Sequence, residues 1–289
     1  MRPVLVARAT GRQGSAATRA LLAQGTPVRA LVRDPDHPRA RALADADAEV
    51  VATDYDDPAS LRAAADGVRG VFSVQLPDLE NLLGDAEVRH GRNLVDAAVR
   101  TGVEQIVHTS VSGTGRPLPD PEKYGEHMPH YWRTKAQIED FVRTSGVEHW
   151  TILRPSTFME NLIRPSFYFA NGTDDRLLVA HDPDVPQPWI ATDDIGAAAA
   201  AAFADPARFD GVELELAGDR LSMREVAKIL SDVLGTEIAL PAEGEGPAEH
   251  FARAQRYSTD HPAPARPEFA HAQGLTPRTL ADWASVHLR

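Results

Sequence analysis

Tyr131 and Lys135 stand four residues apart in the stretch TyrTrpArgThrLys, inside a segment whose apolar residues recur at helical spacing. On a helix that spacing puts both side chains on one face, one turn apart. An ammonium beside a phenol lowers its pKa from an ordinary value of about 10, which suits the tyrosine to general acid or base chemistry near neutrality. Lysine occurs only at Lys123, Lys135 and Lys228, in a chain that otherwise uses arginine as its base. Lys135 is therefore a residue whose chemistry matters. Upstream, the run GluGlnIleValHisThrSerValSer ends in Ser110 and Ser112, whose hydroxyls are candidates to hydrogen-bond a substrate carbonyl.

A second group of residues opens the chain. The apolar run ProValLeuValAla leads directly into ArgAlaThrGlyArgGlnGly, residues 8–14, and then into a helical pattern. Strand, glycine turn and helix in that order form a dinucleotide-binding turn: one glycine lets backbone approach a pyrophosphate and the next lets helix pack on strand. Gly11 and Gly14 take these two places, and Thr10, Arg12 and Gln13 complete the expected nucleotide-binding set. The first glycine place is held by Arg8. Its side chain either blocks the adenosine half of the site or bends toward a 2′-phosphate as its charge partner. Arg33, at the end of the second strand-like run, is the residue type that accommodates the 2′-phosphate of NADP, where an acidic residue would hold the free hydroxyl of NAD. Asp54, just past the third such run, is placed to reach the adenine edge.

The elements that must position these residues follow from periodicity. Apolar runs at 3–7, 27–33, 48–52, 70–74, 104–110 and 149–155 alternate with helical stretches at 14–24, 58–66, 86–101 and 133–145, several closing on glycine. Strands apolar on both faces and separated by helices predict an α/β fold with a doubly wound parallel sheet. A helix at 193–204 and a strand at 212–217 return to it. The expected division is a nucleotide-binding domain of residues 1–155, with 190–218 returning to it, and a smaller, helix-rich substrate domain of 156–189 and 219–289.

Composition removes other classes. Forty-two acidic against 30 basic residues, a net charge of −12, argue against direct nucleic-acid binding, which needs a basic face. The absence of cysteine excludes disulfides, thiolate metal sites and a cysteine nucleophile. The longest apolar stretch, Ile195–Phe203, is far short of the roughly 20 residues of a membrane span. The N-terminus enters a strand at once, without a signal-peptide core, so the expected location is cytoplasmic. His127 and His130 beside Glu126 are set aside as metal ligands, because Met128 and Pro129 are expected to break the helix there and no third ligand has a motif spacing. The Gly- and Pro-rich segment 113–129 reads as a loop over the site, and no G-x-S-x-G elbow of a hydrolase is present. Phe158, Phe167, Tyr168, Phe169 and Trp189 read as core, or as the lining of a pocket for a flat substrate.

The same residues carry a resemblance. ValAlaArgAlaThrGlyArgGlnGly, the strand-end ArgAspPro, TyrTrpArgThrLysAlaGlnIleGlu, ThrIleLeuArgProSerThrPheMetGluAsnLeu (151–162), AspAspIleGly (193–196) and LeuThrProArgThrLeuAlaAspTrp (275–283) resemble the NmrA-like group of atypical short-chain dehydrogenase/reductases along essentially the whole chain. The resemblance implies a Rossmann domain with a small C-terminal substrate domain, a preference for NADP(H), Lys135 on the nicotinamide ribose, and the stretch beginning at Pro155 beside the nicotinamide end. Members divide between reductases of quinones, dyes or phenylpropanoid-type compounds and non-catalytic sensors of the NADPH/NADP balance. Two departures pull apart: Tyr131 restores a tyrosine that many relatives lack, and Arg8 replaces the family's first glycine. The leading expectation is an NADPH-dependent reductase of a carbonyl, quinone or conjugated double bond in a small, aromatic or quinone-like substrate, with a homodimer as the expected assembly. Its rivals are an NADP(H)-sensing regulator without turnover and a cofactor-independent isomerase, cyclase or dehydratase using Tyr131.

Overall fold

Val4, Leu5 and Val6 have no exposed surface, and all five residues of Gly70–Val74 and of Gln105–Thr109 are buried. Strands buried on both faces need a layer of helices on each side, and the alternation of elements supplies them. The computed structural model describes residues 1–166, 168–169, 175–242 and 244–289. In chain order the elements are β1 (Val4–Val6), α1 (Arg12–Ala23), β2 (Val28–Val32), α2 (Pro38–Asp45), β3 (Glu49–Ala52), α3 (Pro58–Ala65), β4 (Gly70–Val74), α4 (Ala86–Arg100), β5 (Gln105–Thr109), α5 (Pro121–Tyr124), α6 (His127–Arg143) and β6 (His149–Pro155). They continue with β7 (Thr157–Phe158), β8 (Gln187–Ile190), α7 (Thr192–Ala204), α8 (Pro206–Phe209), β9 (Val212–Leu216), β10 (Asp219–Leu221), α9 (Met223–Leu234), α10 (Glu249–Asp260), α11 (Pro267–Ala272) and α12 (Leu280–His287).

The main sheet has the order β3-β2-β1-β4-β5-β6-β9, with every neighbouring pair from β3 to β6 parallel. The reversal of strand order between β1 and β4 is the switch point at which doubly wound sheets open a ligand crevice. One compact unit comprises residues 1–114, 131–154 and 192–214. Within it α1 and α7 pack unusually closely. Gly196 has no room for a side chain, because a Cβ there would lie 2.5 Å from the carbonyl oxygen of Ala16. The run of alanines in α7 is the sequence counterpart of that approach: small side chains let two helix backbones come together.

The second unit comprises residues 115–130, 155–191 and 215–289. It holds a three-stranded sheet, β10-β8-β7, in which β8 is antiparallel to β10 and parallel to β7. Its core gathers Met159, Tyr168, Phe169, Trp189, Met223 and Trp283. Tyr168, Phe169 and Trp189 are therefore core residues, Phe158 is half-buried, and Phe167 lies outside the described residues. Helix α9 begins with a capping box, in which Ser222 accepts from the Glu225 N–H while the Glu225 carboxylate accepts from the Ser222 N–H.

Two expectations need correction. Met128 and Pro129 do not break a helix: α6 begins at His127, so Pro129 sits in its first turn, where its missing N–H has no intrahelical acceptor to lose. The segment 113–129 likewise contains a short helix, α5, capped by Asp120. Among the described residues no helix is long and apolar enough to cross a membrane.

Because Gly196 faces backbone rather than a yielding side chain, Gly196→Ala is expected to destabilise the fold by about 1–3 kcal/mol, as overpacking does. The measurement is the shift in Tm on thermal unfolding. An unchanged Tm would show that α1 and α7 separate freely.

Candidate active site

The glycine turn is built by close backbone approach. A Cβ on Gly14 would lie 2.3 Å from the carbonyl oxygen of Arg8 and 2.8 Å from that of Ala7, so only glycine fits there. The Gly11 N–H donates to the Arg8 carbonyl (2.8 Å), and α1 starts with no side chain capping its first turn. The start of a twelve-residue helix with no side-chain cap is suited to an anion.

Arg8 takes a φ of +48°, the left-handed conformation that glycine adopts without penalty. Its backbone N–H donates to the Tyr55 hydroxyl (2.8 Å), and its guanidinium lies 5.0 Å from the Tyr55 ring centroid. One terminal nitrogen approaches His90 Nδ1 at 3.4 Å, and the buried Nε has no partner. Burial pushes the Tyr55 phenol up to about 12, so the ring under Arg8 is neutral. The side chain is thus turned onto Tyr55 and His90, where all three residues line an open cleft of about 850 Å³.

Thr10, Gly11, Arg33 and Asp54 line the same cleft, so five of the residues predicted from sequence come together there, Arg8 included. Arg12 is exposed at the first position of α1, away from the lining. Gln13 is buried and accepts a 2.6 Å hydrogen bond from the Thr109 hydroxyl, which ties the turn to β5. Pro155 ends β6 and is buried. Sequence reading missed His37, Arg39, Tyr55 and His90 on the cleft wall. Arg39 and His37 had a readable signal, since they follow Arg33 within one turn-rich stretch, ArgAspProAspHisProArg. Among the described residues the side chains of Arg33 and Arg39 have no hydrogen-bond or ion-pair partner.

The predicted pair also assembles. Lys135 is buried and its Nζ lies 5.4 Å from the Tyr131 ring centroid, while Tyr131 remains partly exposed. The surprise is Glu87, in the first turn of α4, which is itself buried and accepts from the Lys135 ammonium at 2.5 Å. The Gln75 carbonyl accepts more weakly, at 3.5 Å, and the next residue, Leu76, lines the cleft. The nucleotide cleft and the tyrosine–lysine pair thus meet at the end of β4. The expected lowering of the Tyr131 pKa is overturned: burial raises it, Lys135 lowers it by its charge, Glu87 raises it again, and the net direction is upward. Lys135 is also raised, as attraction to Tyr131 and Glu87 outweighs burial. The signal for Glu87 lay in periodicity: residues 87, 91, 94, 95 and 98 form one buried helical stripe.

Ser110 and Ser112 are both buried, and the Ser110 hydroxyl lies 3.3 Å from that of Thr114. Below them on β5, His108 is buried with Nδ1 3.1 Å from the Ser73 hydroxyl, and its Nε2 has no partner. Burial, aided by the Lys135 charge, pulls its pKa down to about 3, so it is a neutral imidazole.

Comparison with known proteins agrees with this architecture. Residues 2–251 match the NmrA-like family. A (4-alkanoyl-5-oxo-2,5-dihydrofuran-3-yl)methyl phosphate reductase of Streptomyces griseus is 29% identical, over 98% of this chain and 97% of that protein. An NAD(P)H azoreductase of Xenophilus azovorans is 28% identical, again over 98% and 97%. The crystal structure of an NADPH-dependent quinone oxidoreductase from Escherichia coli complexed with NADPH superposes with a TM-score of 0.79 at 22% identity, covering 99% of this chain and all of that one.

The folded chain keeps His108 neutral, whereas the unfolded chain protonates it below its ordinary value of 6.5. Stability from this residue is therefore complete above pH 6.5 and is lost as the pH falls toward 3. Denaturant unfolding between pH 6.5 and 5 should show the native protein losing about 1 kcal/mol per pH unit more than His108→Gln, approaching the 1.4 kcal/mol of one bound proton. Parallel curves would show that His108 titrates normally.

Proposed function

The chain belongs to the NmrA-like family, and on that premise we propose that it is an NADPH-dependent reductase of a small, aromatic or quinone-like acceptor. The observation that carries the reading is the cleft at the carboxyl ends of β1, β2 and β3. In a chain of net charge −12 its rim holds Arg33 and Arg39, two cations with no carboxylate partner among the described residues. Other arginines, such as Arg29 with Glu49 and Arg224 with Asp184, are paired with carboxylates. Two guanidinium groups left free beside an uncapped helix N-terminus and a side-chain-free Gly14 suit a dinucleotide with an additional phosphate.

Bound in this cleft, NADPH supplies the hydride. The protein then has to hold the acceptor and deliver a proton. Tyr131 is the proton donor, partly exposed so that an acceptor can reach it, and kept in its phenol form by burial and by Glu87. Lys135 supplies the positive charge that receives the phenolate when the O–H bond breaks. Ser110 and Ser112 stand at the carboxyl end of β5, the side on which the crevice opens, and are assigned to polarising the acceptor oxygen. The names of the relatives support the class, since each denotes a reductase and differs in the acceptor.

Arg33→Ala and Arg39→Ala are each expected to lower the preference for NADPH over NADH by about 10- to 100-fold, the worth of one charge-assisted hydrogen bond. Calorimetric titration of both cofactors measures it; equal loss for NADPH and NADH would place the 2′-phosphate elsewhere. Tyr131→Phe should lower kcat against a quinone panel by about 10²–10⁴-fold with little change in NADPH binding. Undiminished turnover would remove Tyr131 from the chemistry, and tight NADPH binding with no turnover on any acceptor would favour the regulator.

A further inference from the structure

A buried carboxylate on the amine of a tyrosine–lysine pair changes what that pair can do. Lys135 has three N–H donors, and Glu87 takes one at 2.5 Å while the Gln75 carbonyl takes a second at 3.5 Å. Both charged side chains are more than nine-tenths buried, so neither is screened by water. Glu87 stands in the first turn of α4. The ammonium that should draw a proton off Tyr131 is therefore already paired with a carboxylate. Other charges facing the group are few. Arg8, from the loop after β1, repels the Lys135 charge, and His108 on β5 is neutral.

We propose that Glu87 is a positioning residue that offsets the Lys135 charge beside Tyr131, and thereby biases the site toward giving a proton to a reduced acceptor rather than taking one from an alcohol. The direction rests on the reductase reading above; the charge arrangement does not. In reduction the Tyr131 O–H bond breaks as an O–H or C–H bond forms on the acceptor, which has taken a hydride from the nicotinamide. The electron pair stays on the phenolate oxygen. A phenol that holds its proton through the neutral range is ready for that step, whereas the reverse step would need the phenolate at rest.

The test is a pH titration of the full chain without cofactor or acceptor, following ¹³C at lysine Cε and tyrosine Cζ. Three lysines and five tyrosines keep the spectra assignable, with Tyr131→Phe fixing one assignment. Tyr131 and Lys135 titrate as a coupled pair, so the quantity to read is the first deprotonation of the pair, whichever nucleus reports it. In Glu87→Gln it should fall by about 1 to 3 pH units, the effect of removing an opposite charge at this range. In Glu87→Asp, which keeps a carboxylate one methylene further away, the fall should be smaller, and this variant carries the test if the glutamine variant does not fold. The alkaline limit of any reductase turnover should move down by the same amount. A first deprotonation unchanged in the variants that fold would overturn the proposal. Absence of turnover alongside the expected shift would sink the reductase reading and leave the charge arrangement standing.

Discussion

An ammonium and a carboxylate buried together are tolerated only as a pair, and the Lys135–Glu87 contact therefore constrains everything around it. Breaking such a pair by removing one member typically costs about 3–5 kcal/mol, because the remaining charge has no water to turn to. The pair joins α4 to α6, and one turn further along each helix the same register repeats in apolar form, where a side chain on Gly91 would lie 3.0 Å from Ile138. Charge pairing and close packing thus select one alignment of the two helices. Tyr131, one turn before Lys135, inherits its position from that alignment, and Gln75 brings in the end of β4 and with it the wall of the cleft.

Long-range electrostatics work against this protein as an anion binder. Its acidic excess repels a phosphate at a distance, so attraction has to be concentrated where the ligand sits. On the proposed reading this falls to Arg8, Arg33 and Arg39 on the cleft wall, while arginines such as Arg29 and Arg224 are paired with carboxylates. The same economy appears in the Arg154–Glu139–Arg143–Glu213 network, where four charged groups between α6, β6 and β9 satisfy one another and leave nothing over for a ligand.

Local sequence carried the fold because its signals are local. Runs apolar on both faces could be buried only in a covered parallel sheet, and glycines after helical stretches, such as Gly25 and Gly102 with φ of +71° and +69°, close helices as their positions implied. Tyr131 and Lys135 were readable together because one helix turn joins them. The periodicity of α4 marks Glu87 as buried but not as the partner of Lys135, since 48 residues separate the two and only tertiary packing brings them together. The error in the direction of the Tyr131 pKa has the same origin: spacing shows that a cation is near, but not that an anion and loss of water stand against it. Pro129 was misjudged for a different reason, because proline stops a helix only where a helix has already begun.

Arg8 holds a left-handed backbone, φ +48°, at a place where glycine would sit without penalty, and a side chain there has a cost. The turn keeps the shape a glycine would give it, down to the Gly11 hydrogen bond and the clearance at Gly14. The side chain is held against Tyr55 and His90, and the main chain takes part as well, since the Arg8 N–H donates to the Tyr55 hydroxyl. Glycine at this position would fit the same backbone without that cost, at the loss of the side-chain contacts to Tyr55 and His90.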